Sequence, residues 1–136
     1  MKTKTSELTD KALDFAVAKA KRWVNYPTDS VERGQWWHTG KKLGYEHNRI
    51  HADSFNPSTD WSHGGTIIER EGISIRFNHK QANCWEAFIW TPTQHDLTEV
   101  DSMEYNSYGL NPLIAAMRCF VASKLGDEVE VPKELT

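Results

Sequence analysis

Residues 56–72, NPSTDWSHGGTIIEREG, decide how the rest of this chain is read. Pro57 bars helix before it, because its ring crowds the preceding residue out of the helical region. Ser58 or Thr59 is a good N-cap, since a hydroxyl oxygen can accept a free first-turn N–H. Asp60 then falls in the first turn, where a carboxylate suits the positive end of the helix dipole. Trp61, Gly65 and Ile68 share one face at helical spacing, and Gly72 supplies a left-handed cap. The stretch therefore predicts a helix over Ser58–Glu71. Gly64 and Gly65 break the rule in its middle, where each glycine costs about 1 kcal/mol against alanine. Two physical reasons stand open. A neighbouring backbone packs closely there, or a ligand lies against bare backbone beside Trp61.

Downstream, Ile73, Ile75 and Phe77 alternate with Ser74, Arg76 and Asn78, which predicts a strand with one apolar face. The segment CWEAFIWT over 84–91 is apolar on both faces, so it predicts a central strand, antiparallel to the first. Glu86 is its exception and must be at an edge, paired or in a pocket. Residues 92–110 hold four acids and no Lys or Arg, the pattern of an acidic surface loop anchored by Tyr105 and Tyr108. Asn111 and Pro112 are then a strong helix start. Leu113, Ile114, Met117, Phe120, Val121 and Leu125 follow at helical spacing, and Gly126 stops the helix. Arg118 lies away from most of that stripe, so it is either solvated or aimed at an anion.

Upstream, Leu13, Ala16, Val17, Ala20, Trp23 and Val24 repeat at three and four, predicting a helix over Thr9–Val24 capped by Thr9. Residues 27–57 read as irregular, with a short strand around Gln35–Thr39. There Trp36, Trp37 and Tyr45 are set among Arg33, Lys41, Lys42 and Arg49. Such interleaving suits either a loop pinned over the core or a surface that stacks a base and neutralises a phosphate. Residues 1–8 and 127–136 are polar and acidic, and predict loosely ordered tails. Together these elements predict an α+β fold in one domain, with a small, mainly antiparallel sheet between about three helices in α/β/α layers.

The 136 residues carry a formal net charge of −3, which argues against broad binding to duplex DNA. The apolar runs are too short to span a bilayer, and no charged-then-apolar leader opens the chain. A cytosolic protein is expected. Cys84 and Cys119 are isolated in apolar contexts and read as buried free thiols. Six tryptophans exceed what a core this small uses, which leaves some for a surface or pocket. Phosphate loops, dinucleotide fingerprints and nucleophile elbows are absent from the sequence. His47 and His51 are the only metal-like pair, with no cysteine near them, so neither metal nor cofactor is expected and an enzyme is the weaker reading.

The blocks FNPSTDWSHGGTIIEREGI over 55–73, NPLIAAMRCFVASKLGDEVEVP over 111–132 and KALDFAVAKAKRW over 11–23 resemble the NinX family of lambdoid phages. Whole blocks agree, at both ends and in the middle. Val31–Ala52 departs, being longer and richer in His and Tyr than the family pattern. The resemblance implies a phage accessory protein in the cytoplasm of an infected bacterium, but no reaction. Within that frame the residues favour a non-catalytic binder of a small anionic aromatic ligand, such as a nucleotide-derived signal sequestered against host defence. Trp61 or Trp36, the latter beside Trp37 in a tryptophan pair, would stack on the base. Thr59 and the helix-start amides, with Arg118 or Lys42, would hold phosphate. Asp60 would bind a ribose hydroxyl or simply cap, and Gly64 and Gly65 would admit the ligand. The alternatives are a module that binds a host protein through the Trp36–Trp37 pair and the acidic 92–110 loop, and a recombination accessory that holds single-stranded DNA on residues 33–49. A homo-oligomer is also expected if an apolar patch remains.

Overall fold

Among the described residues, three helices carry the core: α1 (Asp10–Ala20), α2 (Trp61–Glu71) and α3 (Pro112–Leu125). The computed structural model describes residues 1–27, 35–38, 49–78, 80, 84–91 and 102–135. The strands are β1 (Lys2–Lys4), β2 (Val24–Pro27), β3 (Gln35–His38), β4 (Arg49–His51), β5 (Ser74–Asn78), β6 (Cys84–Thr91), β7 (Ser102–Gly109) and β8 (Glu128–Glu130). They pair antiparallel throughout, so the α+β class holds. The arrangement differs from a single sheet between helices. Three small sheets form, ordered β1-β8, β2-β3-β4 and β5-β6-β7. Helix α3 packs across one face of β5-β6-β7, and α1 and α2 pack on α3 rather than on the sheet's far side.

Helix α3 forms as its sequence predicts. Asn111 Oδ1 accepts from the Ile114 amide at 2.9 Å, and Pro112 takes the first turn. Leu113, Met117, Phe120 and Val121 are fully buried against the sheet and the other helices. Strand β6 is central, as two apolar faces require, and Ile75, Trp85, Ala87, Ile89 and Tyr105 on one face of the sheet belong to the core. On the other face Glu86 is buried and paired. Arg76 Nη2 donates to its Oε2 at 3.1 Å and Asn78 Nδ2 to its Oε1 at 2.6 Å.

Helix α1 stops at Ala20, short of Val24, and the reason is local. Arg22 takes a left-handed φ of 64°. The Trp23 amide then donates to the Ala18 carbonyl at 3.2 Å and the Arg22 amide to that of Lys19 at 2.9 Å. This is a Schellman ending built on arginine where glycine is usual, so the sequence carries no stop signal. Val24 starts β2 instead. Thr9 occupies the cap position without a side-chain cap bond.

Two further expectations are corrected. Residues 102–109 are strand β7, paired with β6, and not part of an acidic loop. Tyr105 and Ser107 are half-buried where Asn106 and Tyr108 are exposed, a period of two disguised by polar residues. Residues 92–101 lie outside the described residues. The tails are not loose: β1 pairs with β8, Lys2 facing Glu130 and Lys4 facing Glu128. Thr5, Leu8, Val129 and Val131 are buried, which supplies the apolar anchorage that the polar composition of the tails hides.

Candidate functional site

Helix α2 begins at Trp61, and its N-cap is Asp60 rather than Ser58 or Thr59. Residues 57–59 form a turn in which the Asn56 carbonyl accepts from the Thr59 and Asp60 amides. Asp60 Oδ1 then accepts from the Ser62 amide at 2.8 Å and from its hydroxyl at 2.6 Å. Those bonds, led by the hydroxyl, hold the Asp60 carboxyl below its usual range. Gly72 ends the helix at φ 65°, as its sequence predicts.

The paired glycines separate. A Cβ on Gly64 would meet the Pro57 carbonyl oxygen at 2.5 Å and Leu113 Cδ2 at 2.6 Å, so Gly64 exists to let α2 approach α3 and the preceding turn. Among the described residues a Cβ on Gly65 would meet only the Trp61 ring, at 3.9 Å. Trp61 itself is 55% exposed. Arg118 is half-buried and its guanidinium bonds backbone carbonyls. Its Nε donates to the Leu8 carbonyl at 2.9 Å and its Nη1 to that of Tyr108 at 2.8 Å, tying the N-terminal segment to β7. Thr59 is exposed. The Trp36 side chain and Lys42 lie outside the described residues, as do His47 and most of the 33–49 stretch.

A cavity of about 280 Å³ opens elsewhere, between α1, β3, the 51–55 segment and the C-terminal residues 132–135. Among the described residues, Trp37 is the one member of the expected set that lines it. It is only 2% exposed and belongs to the core, so the tryptophan read as a surface group is instead a wall. Phe15 meets Trp37 nearly edge-on, with centroids 5.0 Å apart and planes at 60°. Phe55, which stacks obliquely on Trp23 at 4.6 Å, forms another wall, and Leu135 another. A 3₁₀ turn over Lys133–Leu135, closed by the Leu135 amide on the Pro132 carbonyl at 3.0 Å, positions Leu135.

The polar groups of this cavity were missed by sequence reasoning. Among the described residues they are Lys11, Asp14, His51, Asp53 and Glu134: three carboxylates against one lysine and one histidine. Asp14 is the unusual member. It is 5% exposed, in the middle of α1 among Leu13, Ala16, Val17 and Ala18. Burial pushes its carboxyl above the ordinary range, against the pull of the Ser58 amide and hydroxyl. The Ser58 amide donates to Asp14 Oδ1 at 2.9 Å, which fastens the turn before α2 onto α1. Lys11, one turn before Asp14, is committed to Asn56 Oδ1. A carboxylate inside an apolar helical stripe was the one signal in the sequence. The other lining groups come from segments without periodicity.

The cavity can hold a ring-sized apolar body and meet its edge with hydrogen-bonding groups. The thiol of Cys119, by contrast, is buried and pushed up to about 12, far from a nucleophile's range. Fold and cavity together define a small α+β protein with an aromatic-walled pocket. The family model described as bacteriophage P22, NinX, matches residues 4–124, and the chain belongs to that family. It is thus a phage accessory protein. No curated protein shows significant similarity to it. Among the described residues no helix is long and apolar enough to cross a membrane.

Proposed function

We propose that this chain is a non-catalytic binder of a small nucleotide-derived signal, acting as a sponge against host defence in the cytoplasm of the infected bacterium. The observation that carries this reading is the cavity walled by Phe15, Trp37 and Phe55. Its volume of about 280 Å³ is near the lower end of the roughly 300–1,000 Å³ typical of small-molecule sites. It therefore suits one ring system rather than a whole dinucleotide. The carboxylates at its wall disfavour a phosphate inside, so the base enters and the phosphate stays outside, nearest Lys11 and His51. This moves the ligand from the Trp61–Gly65 surface to the Trp37 cavity. Native mass spectrometry of the protein purified from infected cells tests it. A released nucleotide of defined mass is expected on denaturation, and a clean apo mass overturns the sponge reading.

A second reading has its own observation. Trp61 is 55% exposed and Tyr108 46%, and exposed aromatics of this kind anchor protein partners. A stoichiometric host protein retained by the wild type and lost with Trp61→Ala would favour it.

A further inference from the structure

The cavity contains a polar group that the fold does not use up. Asp14 accepts from the Ser58 amide at Oδ1, at 2.9 Å, and the Ser58 hydroxyl beside it also favours the charged form. Its second oxygen, Oδ2, receives no hydrogen bond among the described residues. Lys11 favours the Asp14 charge from a distance, but the ammonium is bonded to Asn56 and makes no ion pair with Asp14 among the described residues. Asp14 as a residue is 5% exposed and lines an aromatic cavity, where a donor from a bound ring would stabilise its carboxylate. The bond to the Ser58 amide does not by itself require a charge. The Ser58 amide requires only one neutral acceptor, which an asparagine would supply without burying a charge.

We infer that Asp14 is the specificity-determining residue of this cavity and selects a heteroaromatic ring that presents an N–H donor, such as the amino group of a purine base, to its free carboxylate oxygen. The inference rests on the cavity being the ligand site. Its chemistry follows from the donor and acceptor inventory: an ionised carboxylate only accepts, so a ring edge that only accepts is repelled. The ring lies against the wall of Phe15, Trp37 and Phe55, and the N–H bond to a charged acceptor sets its orientation. The same carboxylate turns away phosphate, which keeps the anionic part of a nucleotide outside.

Asp14→Asn separates this role from a structural one. The amide oxygen of the new side chain still accepts from Ser58, while its NH₂ group replaces the free acceptor with a donor. The folded protein loses a buried charge and the ligand's N–H loses its partner. Binding therefore falls while thermal stability holds or rises, an outcome that a purely structural Asp14 does not give.

The experiment is calorimetric titration of the full chain with adenosine, guanosine and purine riboside, the last lacking both the exocyclic amine and a ring N–H. At least one of the first two is expected to bind, with purine riboside at least about tenfold weaker. Asp14→Asn is expected to bring the tighter nucleoside down to the level of purine riboside with an unchanged or higher Tm. Equal affinity for purine riboside, or an Asp14→Asn variant that binds as the wild type does, overturns the inference and leaves the cavity reading standing. Failure of all three nucleosides to bind overturns both.

Discussion

Asp60 and Asp14 are two aspartates at opposite ends of one short path, and the molecule treats them in opposite ways. Asp60 caps α2 at the surface, where its bonds to Ser62 favour the charged form. Asp14 sits inside α1, where burial disfavours the charged form despite its bond to Ser58. The first is a charge that builds structure. The second is a charge the structure tolerates, and it faces the cavity. Groups held against their solution preference cluster at functional sites, which is why the Asp14 region rather than the Asp60 region is the candidate site.

The difference can be pressed at its strongest point with Trp37→Ala. Trp37 is part of the core as well as of the cavity wall. Its truncation is expected to destabilise by about 3–5 kcal/mol, measured by urea unfolding. A loss below about 1 kcal/mol would mean that the wall is loosely packed. The next largest effect belongs to Gly64→Ala, whose new Cβ would overlap the Pro57 carbonyl and Leu113. A loss of about 1–3 kcal/mol is expected from overpacking. The identical change one residue later has the opposite sign. Gly65→Ala meets nothing closer than 3.9 Å and should gain up to about 1 kcal/mol from helix propensity. A destabilised Gly65→Ala would show that the bare backbone beside Trp61 is needed for packing.

The smallest effects are the pH dependences of the two aspartates, and they run in opposite directions. A carboxyl held low in the fold, as Asp60 is, contributes stability that is present above its unfolded pKa and is lost as pH falls through the folded one. Asp60→Ala should therefore lower Tm at neutral pH, with the deficit closing in acid. A carboxyl pushed up in the fold, as Asp14 is, holds its proton more tightly folded than unfolded. Stability then declines as pH rises from the unfolded pKa through the raised one, so Asp14→Asn should gain Tm at neutral pH and lose that gain in acid. Calorimetric scans from pH 3 to pH 8 on both variants would reveal the crossing, and parallel curves would contradict it.

Helices α2 and α3 were legible because their start and stop signals are local: Asn111–Pro112 opens α3, and Gly72 closes α2. The end of α1 was not, because arginine does at position 22 what glycine normally announces. Strand β7 was hidden by its serines, asparagine and acids, whose strand identity comes from pairing with the apolar β6. The site was mostly illegible for a stronger reason. The cavity joins residues 11–15, 37, 51–55 and 132–135, and no spacing rule brings such segments together. Trp61, Gly65 and Arg118 drew attention because they break local rules, yet Arg118 serves the backbone of Leu8 and Tyr108. Asp14 breaks a local rule as well, as a carboxylate beside an otherwise apolar stripe, and that exception went unread in the sequence.

The central claim is that ligand enters beside Trp37 and not beside Trp61. The indole N–H signals of the tryptophans in a ¹H–¹⁵N spectrum report on this directly when adenosine or guanosine is titrated in. The account predicts that the Trp37 signal moves with ligand concentration while the Trp61 signal stays in place. Movement of Trp61 alone, or of neither, would contradict it.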